Sequence, residues 1–505
     1  MAILIYNTLT RKREEFVPVT PGKVSFYLCG PTVYDYFHIG NARPFIVFDV
    51  FRKFLIHQGF DVTFVVNITD IDNKIIQRAN TEKRSAEEVA GEFTDAYQAD
   101  LDSLRVQRAD IQPKATEHIP EMLALIQGLV DKGIAYPLNG DVYYSVEKFR
   151  HYGLLSGKNI DELQAGARVE VDDRKENPLD FALWKSAKPG EPYWESPWGK
   201  GRPGWHIECS AMSMKYLGGS FDIHAGGEDL IFPHHENEIA QSCGAGDNKF
   251  ARYWLHNGFL RISGEKMSKS LGNVLTVRDI LTRHRPEVLR LFFLQKHYRS
   301  PINYTEELLE DTEHAWLRLR NFYDELKQLD IRAESPDSGA EDMFLEFVRH
   351  IKEEFISAMK DDFNTALATG KIFELVKEGN RILTAGELTK GQRLALLDAK
   401  TLLEEMDSIF RLLPVREDLE ILVSEDLKVM DALVAEIQNE LPGDKLEIQF
   451  GEDMNAMDRL IKLRNELRKN KIWGLADKIR DRLKEIGYVI EDRADKTIWK
   501  KDDKM

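Results

Sequence analysis

The chain has 505 residues, which exceeds one domain because a single hydrophobic core stops growing at about 250 to 300 residues. Its hydrophobic content of 43% is ordinary for a globular protein, and no export signal or uncharged apolar stretch of about 18 residues is present, so we expect a cytoplasmic protein without membrane spans. A formal net charge of −16 argues against non-specific binding of nucleic acid by the whole surface but does not exclude a locally basic site.

The first hundred residues alternate strand-like and helix-like segments, the pattern of parallel α/β units. A strand is predicted from Lys23 to Cys29, a helix from Phe45 to Gln58, and a second strand from Asp61 to Asn67. Between about 113 and 200 the sequence is rich in Gly, Pro and turn clusters, and regular signals resume at Gly204. The sequence therefore predicts a split, doubly wound, Rossmann-like parallel sheet that carries an insertion.

From about residue 303 the sequence is helical with few breaks, because Trp316, Leu319, Phe322 and Leu326 recur at helical spacing. This indicates an α-helical bundle, followed by a small C-terminal domain. The predicted divisions are 1–112 and 201–255 for the two halves of the α/β domain, 113–200 for the insertion, 256–310 for a linking region, 311–415 for the bundle and 416–505 for the last domain.

Four side chains from three distant segments have the chemistry of ligands for one Zn²⁺ per chain: Cys29, Cys209, His234 and Glu238. Cys29 ends a predicted strand, and His234 and Glu238 lie four apart at the start of a predicted helix, so their side chains share a face. Three cysteines in a cytosolic chain favour metal binding or packing over a disulfide framework. The alternative is that each cysteine is a small buried hydrophobe, which we expect for Cys243.

Two short strings have the properties of a nucleotide site. The first, Phe37 to Asn41, precedes a helix predicted to begin near Pro44, whose free N–H groups would attract an anion, and Gly40 permits close approach. The second, Lys266 to Ser270, is a polar loop with two ammonium groups that can offset the charge of a departing pyrophosphate. The alternative for the second string alone is a solvated basic turn.

The two strings together resemble those of the class I aminoacyl-tRNA synthetases, and further stretches resemble the cysteine-specific branch of that family. The resemblance covers nearly the whole chain, with departures at Asn41, where His is usual, and at Ala366, where Pro is common. The stretches are Cys29 to Arg43, Asn67 to Ile76, Pro203 to Ser213, Phe221 to Ser242, Lys266 to Asn273 and Asp361 to Ala368.

The resemblance implies an enzyme that uses ATP, with Mg²⁺ as counterion, to activate L-cysteine as an adenylate and transfer it to tRNA(Cys). His38 and Asn41 are then expected to contact the ATP phosphates and ribose, and Gly40 to lie against the adenine. Lys266 and above all Lys269 are expected to stabilise the reacting α-phosphate and the leaving pyrophosphate.

The resemblance also implies an amino-acid pocket around the metal. Trp205 and His224 would wall the space for the side chain, Asp229 would serve the substrate ammonium or the ribose, and packing in the core is the alternative for each. An apolar pocket separates near-isosteric side chains only roughly 10- to 200-fold, so we expect zinc to select thiolate over alcohol, with Glu238 the ligand most readily displaced. Thr69 and His206 are the other candidates to line the amino-acid pocket. His235 is expected to support the zinc ligands or to pack against them.

The segment from Arg459 to Lys484 carries ten basic and three acidic residues, a local charge of about +7 in an acidic chain. Trp473 lies in its middle and could stack on an unpaired base, and the resemblance assigns anticodon recognition to this region. A solvated amphipathic helix with Trp473 in its core is the alternative. We expect a monomer whose partners are tRNA(Cys), L-cysteine and ATP.

Two other functions compete with this interpretation. One is a ligase that joins cysteine to an amino sugar in mycothiol biosynthesis, against which the basic segment with Trp473 argues. The other is a non-catalytic tRNA-binding paralogue with structural zinc, against which His38 and the intact string Lys266 to Ser270 argue.

Overall fold

The computed structural model describes residues 2–158, 174–246, 249–262, 265–266, 274–329, 342–414, 429–438, 440–441, 456–492 and 497–501, and Lys269 lies outside these ranges. The chain divides into two compact units, Met1–Leu413 and Pro414–Met505. The strands of the first unit are β1 (Leu4–Asn7), β2 (Lys12–Glu15), β3 (Lys23–Leu28), β4 (Asp61–Val66), β5 (Ala135–Leu138), β6 (Asp141–Tyr144), β7 (Phe181–Ser186), β8 (Gly201–Pro203), β9 (Ser220–Gly227), β10 (Phe250–Asn257), β11 (Leu260–Ile262), β12 (Glu265–Lys266) and β13 (Ile302–Tyr304).

The first unit also contains a series of α-helices. They are α1 (Ile39–His57), α2 (Asn73–Glu82), α3 (Ala86–Ser103), α4 (Ile119–Asp131), α5 (Trp205–Leu217), α6 (Glu236–Ala245), α7 (Val277–Leu281), α8 (Pro286–Leu294), α9 (Glu306–Lys327), α10 (Asp342–Lys360), α11 (Thr365–Leu383) and α12 (Lys390–Phe410). None of the helices within the described ranges combines the length and the apolar content that a membrane span requires.

The central sheet is parallel and has the strand order β10-β9-β3-β4. Toward their carboxyl ends its strands are buried on both faces, as neighbouring Tyr27 and Leu28 show, and this double burial is typical of a parallel sheet covered by helices. Two of the strands precede the insertion and two follow it, so the predicted split α/β sheet is confirmed. Cys29 comes directly after β3, at the carboxyl edge where ligands bind in open α/β sheets.

Between the two halves lies an antiparallel sheet of order β5-β6-β7-β8. Its last strand, Gly201–Pro203, pairs with β7 and leads directly into α5. Gly204 is required at this junction because a Cβ there would lie 2.1 Å from the carbonyl oxygen of Ala182. The insertion therefore ends by delivering Trp205 and the first turn of α5 to the edge of the parallel sheet.

The helix after the first nucleotide string begins earlier than predicted. We expected it near Pro44, but α1 begins at Ile39, with His38 as the residue before its first turn. The Nδ1 atom of His38 accepts a hydrogen bond from the N–H of Asn41 at 3.2 Å, and this cap stabilises the earlier start. Proline is commonest at the first helical position, and its occurrence here inside the helix explains the error.

The helical bundle is confirmed in α9 to α12. In α9, Trp316, Leu319, Phe322 and Leu326 are buried at the predicted spacing. Trp316 is fully buried, and its Nε1–H donates to the carbonyl of Leu412 at 2.8 Å. This hydrogen bond joins the segment that follows α12 to α9.

The second unit is small, and its core is formed mainly by leucine and isoleucine, among them Leu460, Leu463, Ile479 and Leu483. A β-hairpin follows the last helix and packs its first strand against that helix. The elements are α13 (429–438), α14 (Ala456–Lys469), α15 (Trp473–Glu485), β14 (Tyr488–Asp492) and β15 (Thr497–Lys501).

Candidate active site

Cys29, Cys209, His234 and Glu238, which the sequence brings from three distant segments, converge in the first unit. One donor atom from each lies within 4.8 Å of the others, and all four residues are buried. The two sulfur atoms are 3.8 Å apart, and Cys29 Sγ is 3.6 Å from Glu238 Oε1. His234 Nε2 is 3.0 Å from the same carboxylate oxygen. The arrangement is that of a small, enclosed set of sulfur, nitrogen and oxygen donors.

Cys29 is held in place by the backbone on both sides of the sheet edge. Its N–H donates to the carbonyl of Ala225 in β9 at 3.1 Å. The next residue, Gly30, donates its N–H to Asn67 Oδ1 at 2.8 Å, and a Cβ at Gly30 would lie 1.6 Å from the carbonyl oxygen of Asn67. The absence of a side chain at Gly30 therefore allows β3 and the end of β4 to approach closely beneath the sulfur.

His234 lies in an irregular turn that leads into α6, and Glu238 lies in the first turn of that helix. The segment Ile231–His235 has π-helical hydrogen bonding, and the α-helix begins at Glu236, so the predicted single helix is interrupted. The two side chains nevertheless share a face, as the four-residue spacing predicted. Trp205 covers His234 with its indole, at a ring-centroid distance of 4.3 Å and an interplanar angle of 29°.

The protonation of the four donors is tightly linked. The hydrogen bond from the Cys29 thiol lowers the pKa of Cys209 to about 6, whereas burial raises the pKa of Cys29 well above its usual value. Burial opposes the charge on Glu238, but His224 and His234 outweigh it and lower the carboxyl pKa to about 2. Burial also opposes the charge on His234, yet Glu238 raises its pKa to about 10. The thiolate of Cys209 and the carboxylate of Glu238 thus stabilise a proton on His234. A divalent cation could replace this proton.

Four further histidines surround the cluster, and the sequence singled out three of them, His206, His224 and His235. His224 is fully buried and lies 2.8 Å through Nε2 from Glu238 Oε2. His235 Nε2 is 3.2 Å from Cys29 Sγ, and its Nδ1 is 2.8 Å from Nε2 of His256. A second group of donors within 4.8 Å of one another is therefore Cys29, His224, His235 and Glu238.

His256 and Glu208 were missed as members of the site. His256 lies two residues after the buried Trp254 in β10 and therefore on the same face of the strand. This alternation could have indicated that His256 belongs to the site. Glu208 is buried beside Cys209 and accepts a hydrogen bond from Thr69 Oγ1 at 2.9 Å. Burial raises the pKa of Glu208 well above its usual value.

The remaining pocket candidates lie at different depths. Thr69 is buried and donates to Glu208, the neighbour of Cys209, whereas Trp205 is 40% exposed. Asp229 is exposed in the turn after β9. His206 is 2.9 Å from His234, between the two Nδ1 atoms, and burial lowers its pKa well below the usual value. Trp205 and Asp229 are thus accessible to a ligand, while Thr69 and His224 support the groups around it. Cys243, expected to be structural, packs against the surrounding core.

The first nucleotide string forms the N-terminus of α1. The N–H of Ile39 donates to the carbonyl of Leu275 at 3.0 Å, and the N–H of Asn41 donates to Nδ1 of His38. Within the described residues, this leaves the N–H of Gly40 without a partner in the first turn. Val277 returns a hydrogen bond to the carbonyl of Phe37 at 2.9 Å, so the string lies against the segment that follows residues 267–273.

Of the second string, the structure describes only the backbone of Lys266. This residue ends β12, which pairs antiparallel with β11 through Arg261. The predicted role of Lys269 falls outside the described residues.

The basic segment of the second unit spans α14 and α15. Trp473 begins α15 and is 55% exposed, so it is not part of the core. Several of the basic residues are paired: Lys478 lies 2.7 Å from Glu436 and 2.6 Å from Glu440. Arg480 pairs with neighbouring aspartates. The effective positive charge is therefore smaller than the count of basic residues indicates.

Comparison with known protein families gives three matches along the chain. Residues 15–314 match the model described as the tRNA synthetases class I (C) catalytic domain. Residues 354–414 match the DALR domain, and residues 454–499 match the cysteinyl-tRNA ligase anticodon binding domain.

Curated relatives match over nearly the full length. A cysteine–tRNA ligase from Thermodesulfovibrio yellowstonii is 50% identical over 501 residues, which cover 98% of this chain and 99% of the relative. A protein of the same name from Aquifex aeolicus is 48% identical, with 99% of each chain covered.

Solved structures share the fold at low sequence identity. A Mycobacterium tuberculosis methionyl-tRNA synthetase in complex with methionyl-adenylate has a TM-score of 0.57 at 14% identity, covering 76% of this chain and 90% of that one. A LeuRS from Agrobacterium radiobacter K84 in a ternary complex has a TM-score of 0.54 at 12% identity, covering 78% and 85%.

Proposed function

The chain belongs to the cysteine-specific class I aminoacyl-tRNA synthetases, the cysteine–tRNA ligase family, and we propose that it selects its amino acid at a zinc site formed by Cys29, Cys209, His234 and Glu238. As a member of that family it is an enzyme that ligates cysteine to tRNA at the expense of ATP. The observation that carries the zinc proposal is the convergence of these four buried donors.

The distances between the donors suit a tetrahedral zinc ion. Two sulfurs bound at about 2.3 Å would lie roughly 3.8 Å apart, and a sulfur and a carboxylate oxygen roughly 3.6 Å apart. The observed separations are 3.8 Å between Cys29 and Cys209 and 3.6 Å between Cys29 and Glu238. Sulfur and imidazole donors also favour zinc over magnesium or calcium, which prefer oxygen ligands.

The second group of donors shares Cys29 and Glu238 but replaces the others by His224 and His235. We favour the first group because it contains a second thiol, whose pKa is lowered to about 6. In this arrangement His224 holds Glu238 Oε2 so that the other carboxylate oxygen faces the ion, and His235 is oriented by His256. Substituting Cys209 by serine should abolish stoichiometric zinc, whereas His235→Gln should retain it.

Zinc bound there would favour a thiolate ligand over an alcohol, which is the difference between cysteine and serine. The chain's own residues would bring the substrate to this position. Trp205, stacked on His234 and 40% exposed, would form one wall of the side-chain space. Asp229, exposed in the turn after β9, would bind the substrate ammonium or the ribose.

Activation of cysteine is proposed at the N-terminus of α1. His38 and Asn41 would contact the phosphates and ribose of ATP, Gly40 would lie against the adenine, and Mg²⁺ would accompany the nucleotide. Attack by the cysteine carboxylate on the α-phosphate gives cysteinyl-adenylate and pyrophosphate. A hydroxyl of the terminal ribose of tRNA then attacks the carbonyl carbon of the adenylate, which forms the cysteinyl ester and releases AMP. Lys266 and Lys269 would stabilise the charge that develops on the α-phosphate and pyrophosphate.

The second unit is proposed to recognise the anticodon of tRNA(Cys). Trp473 is exposed at the start of α15, where it could stack on an unpaired base while neighbouring basic residues hold phosphates. We further propose that the enzyme acts as a cytoplasmic monomer.

The proposal is tested by cysteine-dependent exchange between ATP and pyrophosphate, with serine as competitor and zinc measured in the same preparation. We expect one zinc per chain, exchange with cysteine but not with serine, and loss of exchange in Cys209→Ser. Exchange that persists in Cys209→Ser without bound zinc would refute selection by the metal, while absence of exchange in the wild type would favour a non-catalytic relative.

A further inference from the structure

Arg43 is a buried cation in the second turn of α1, five residues after His38. The side chain is 0% exposed, and burial lowers the pKa of its guanidinium to about 10, against a smaller opposing influence of Glu228. It therefore remains charged at neutral pH. Within the described residues it forms no ion pair, and its charge is met by backbone carbonyls. A buried charge is costly, so its contacts have to be specific.

The two terminal nitrogens of Arg43 donate hydrogen bonds to two separate backbone segments. Nη1 donates to the carbonyls of Gly258 at 2.5 Å and Phe259 at 3.1 Å. Nη2 donates to the carbonyls of Tyr298 at 2.9 Å and Ser300 at 2.6 Å. The planar guanidinium of arginine is suited to bridging two segments, because one rigid group fixes both of them at once.

The segments that Arg43 holds begin the strands of a small sheet. Gly258 and Phe259 immediately precede β11, and Ser300 lies two residues before β13, which pairs parallel with β11. The other neighbour of β11 is β12, which ends at Lys266. Arg43 thus connects the helix that His38 caps to the strands that carry Lys266.

The close approach of these segments depends on Gly258. A Cβ at this position would lie 2.6 Å from the carbonyl oxygen of Arg299 and 2.8 Å from the carbonyl carbon of Ser300. Both partners are backbone atoms, which cannot move aside without shifting the strands. Any side chain at Gly258 would therefore alter the same junction without removing the guanidinium.

We propose that Arg43 is a positioning residue for the activation step, which sets the strands bearing Lys266 against the nucleotide end of α1. This inference rests on the proposed use of His38 and Lys266 in binding ATP. Loss of these hydrogen bonds would leave the zinc cluster intact, because none of the hydrogen-bond partners of Arg43 among the described residues is one of the four proposed ligands. It would displace the groups that stabilise the leaving pyrophosphate, and a misplacement of about 1 Å can lower a rate roughly 10²-fold.

The test compares Arg43→Lys and Gly258→Ala with a matched control, Arg290→Lys. Arg290 is also fully buried and also donates to backbone carbonyls, among them those of Leu104 and Phe410, but it differs from Arg43 in pairing with Asp49 at 2.9 Å. Its polar partners among the described residues do not include β11. Folding is checked by thermal melting and zinc content, and kcat and KM are measured in cysteine-dependent pyrophosphate exchange.

We expect both test variants to lose roughly 10²-fold in kcat with an unchanged KM for cysteine, the pattern of an interaction made mainly in the transition state. Arg290→Lys should melt at a lower temperature with kcat unchanged. If Arg43→Lys does not fold, Gly258→Ala decides the question. A folded test variant with kcat within about threefold of the wild type, or an equal loss in the control, would overturn the proposal. An inactive wild type would instead refute the proposed function on which it rests.

Discussion

Replacing His224 by alanine should weaken zinc binding without changing any of the four proposed ligands. His224 is fully buried and reaches Glu238 Oε2 at 2.8 Å, so alanine leaves one oxygen of a buried carboxylate without its partner. A hydrogen bond to a charged group contributes about 1.5–3 kcal/mol, and loss of a residue that orients a metal ligand typically costs about 10- to 100-fold in affinity, roughly 1.4–2.7 kcal/mol. The two estimates agree, and we expect a 10- to 100-fold weaker site.

The assay is competition for zinc between the folded protein and a chromophoric chelator. The matched control is His118→Ala, because His118 is also buried but lies 2.9 Å from the hydroxyl of Tyr216 and 2.7 Å from the carbonyl of Lys114, outside the cluster. The control should bind zinc as tightly as the wild type. Zinc affinity in His224→Ala that matches the control would refute the idea that His224 orients Glu238.

Three further predictions concern the other parts of the enzyme. Lys269→Ala should depress pyrophosphate exchange strongly while leaving equilibrium binding of cysteine unchanged; weaker cysteine binding would contradict its proposed role. A chain ending at Leu413, the last residue of the first unit, should retain pyrophosphate exchange but charge tRNA poorly, and equal loss of both activities would contradict separate roles for the two units. Trp473→Ala should weaken tRNA binding by about 1–3 kcal/mol in a filter-binding assay, whereas unchanged affinity would argue against stacking.

The sequence predicted the parts of the fold that depend on local periodicity. The strand from Lys23 was predicted from alternation, with Val24, Phe26 and Leu28 on one face, and these three residues are buried. The alternation of strand-like and helix-like segments predicted the parallel sheet. The observed strands Lys23–Leu28 and Asp61–Val66 end one residue earlier than predicted. The start of α1 was wrong by about five residues, because a proline was given more weight than the capping histidine His38.

The candidate site was predictable to the extent that donor chemistry identified it. The ligand chemistry of Cys29, Cys209, His234 and Glu238, taken together with the family resemblance of the stretches around them, singled out these four residues before their convergence was known. The positions of the supporting side chains were not predictable, since they depend on packing between remote segments. His256 reaches His235 only because β10 pairs with β9 and α6 lies beside them.

Arg43 illustrates the same limit more strongly. The residues whose carbonyls it binds are 215 to 257 positions away in the sequence. A single arginine inside an apolar helix gives no indication of such partners, because neither spacing nor composition encodes which backbone segments will meet there. Only the tertiary structure brings Gly258 and Ser300 to the same guanidinium.

Selection of a thiol by a metal at the Cys29 cluster is tested most directly by X-ray absorption at the zinc edge, recorded with and without L-cysteine. The free enzyme should show two sulfur ligands, from Cys29 and Cys209, and addition of cysteine should add a third, which serine does not do. A spectrum in which cysteine leaves the number of sulfur ligands unchanged would contradict the account, as would a free enzyme with a single sulfur ligand.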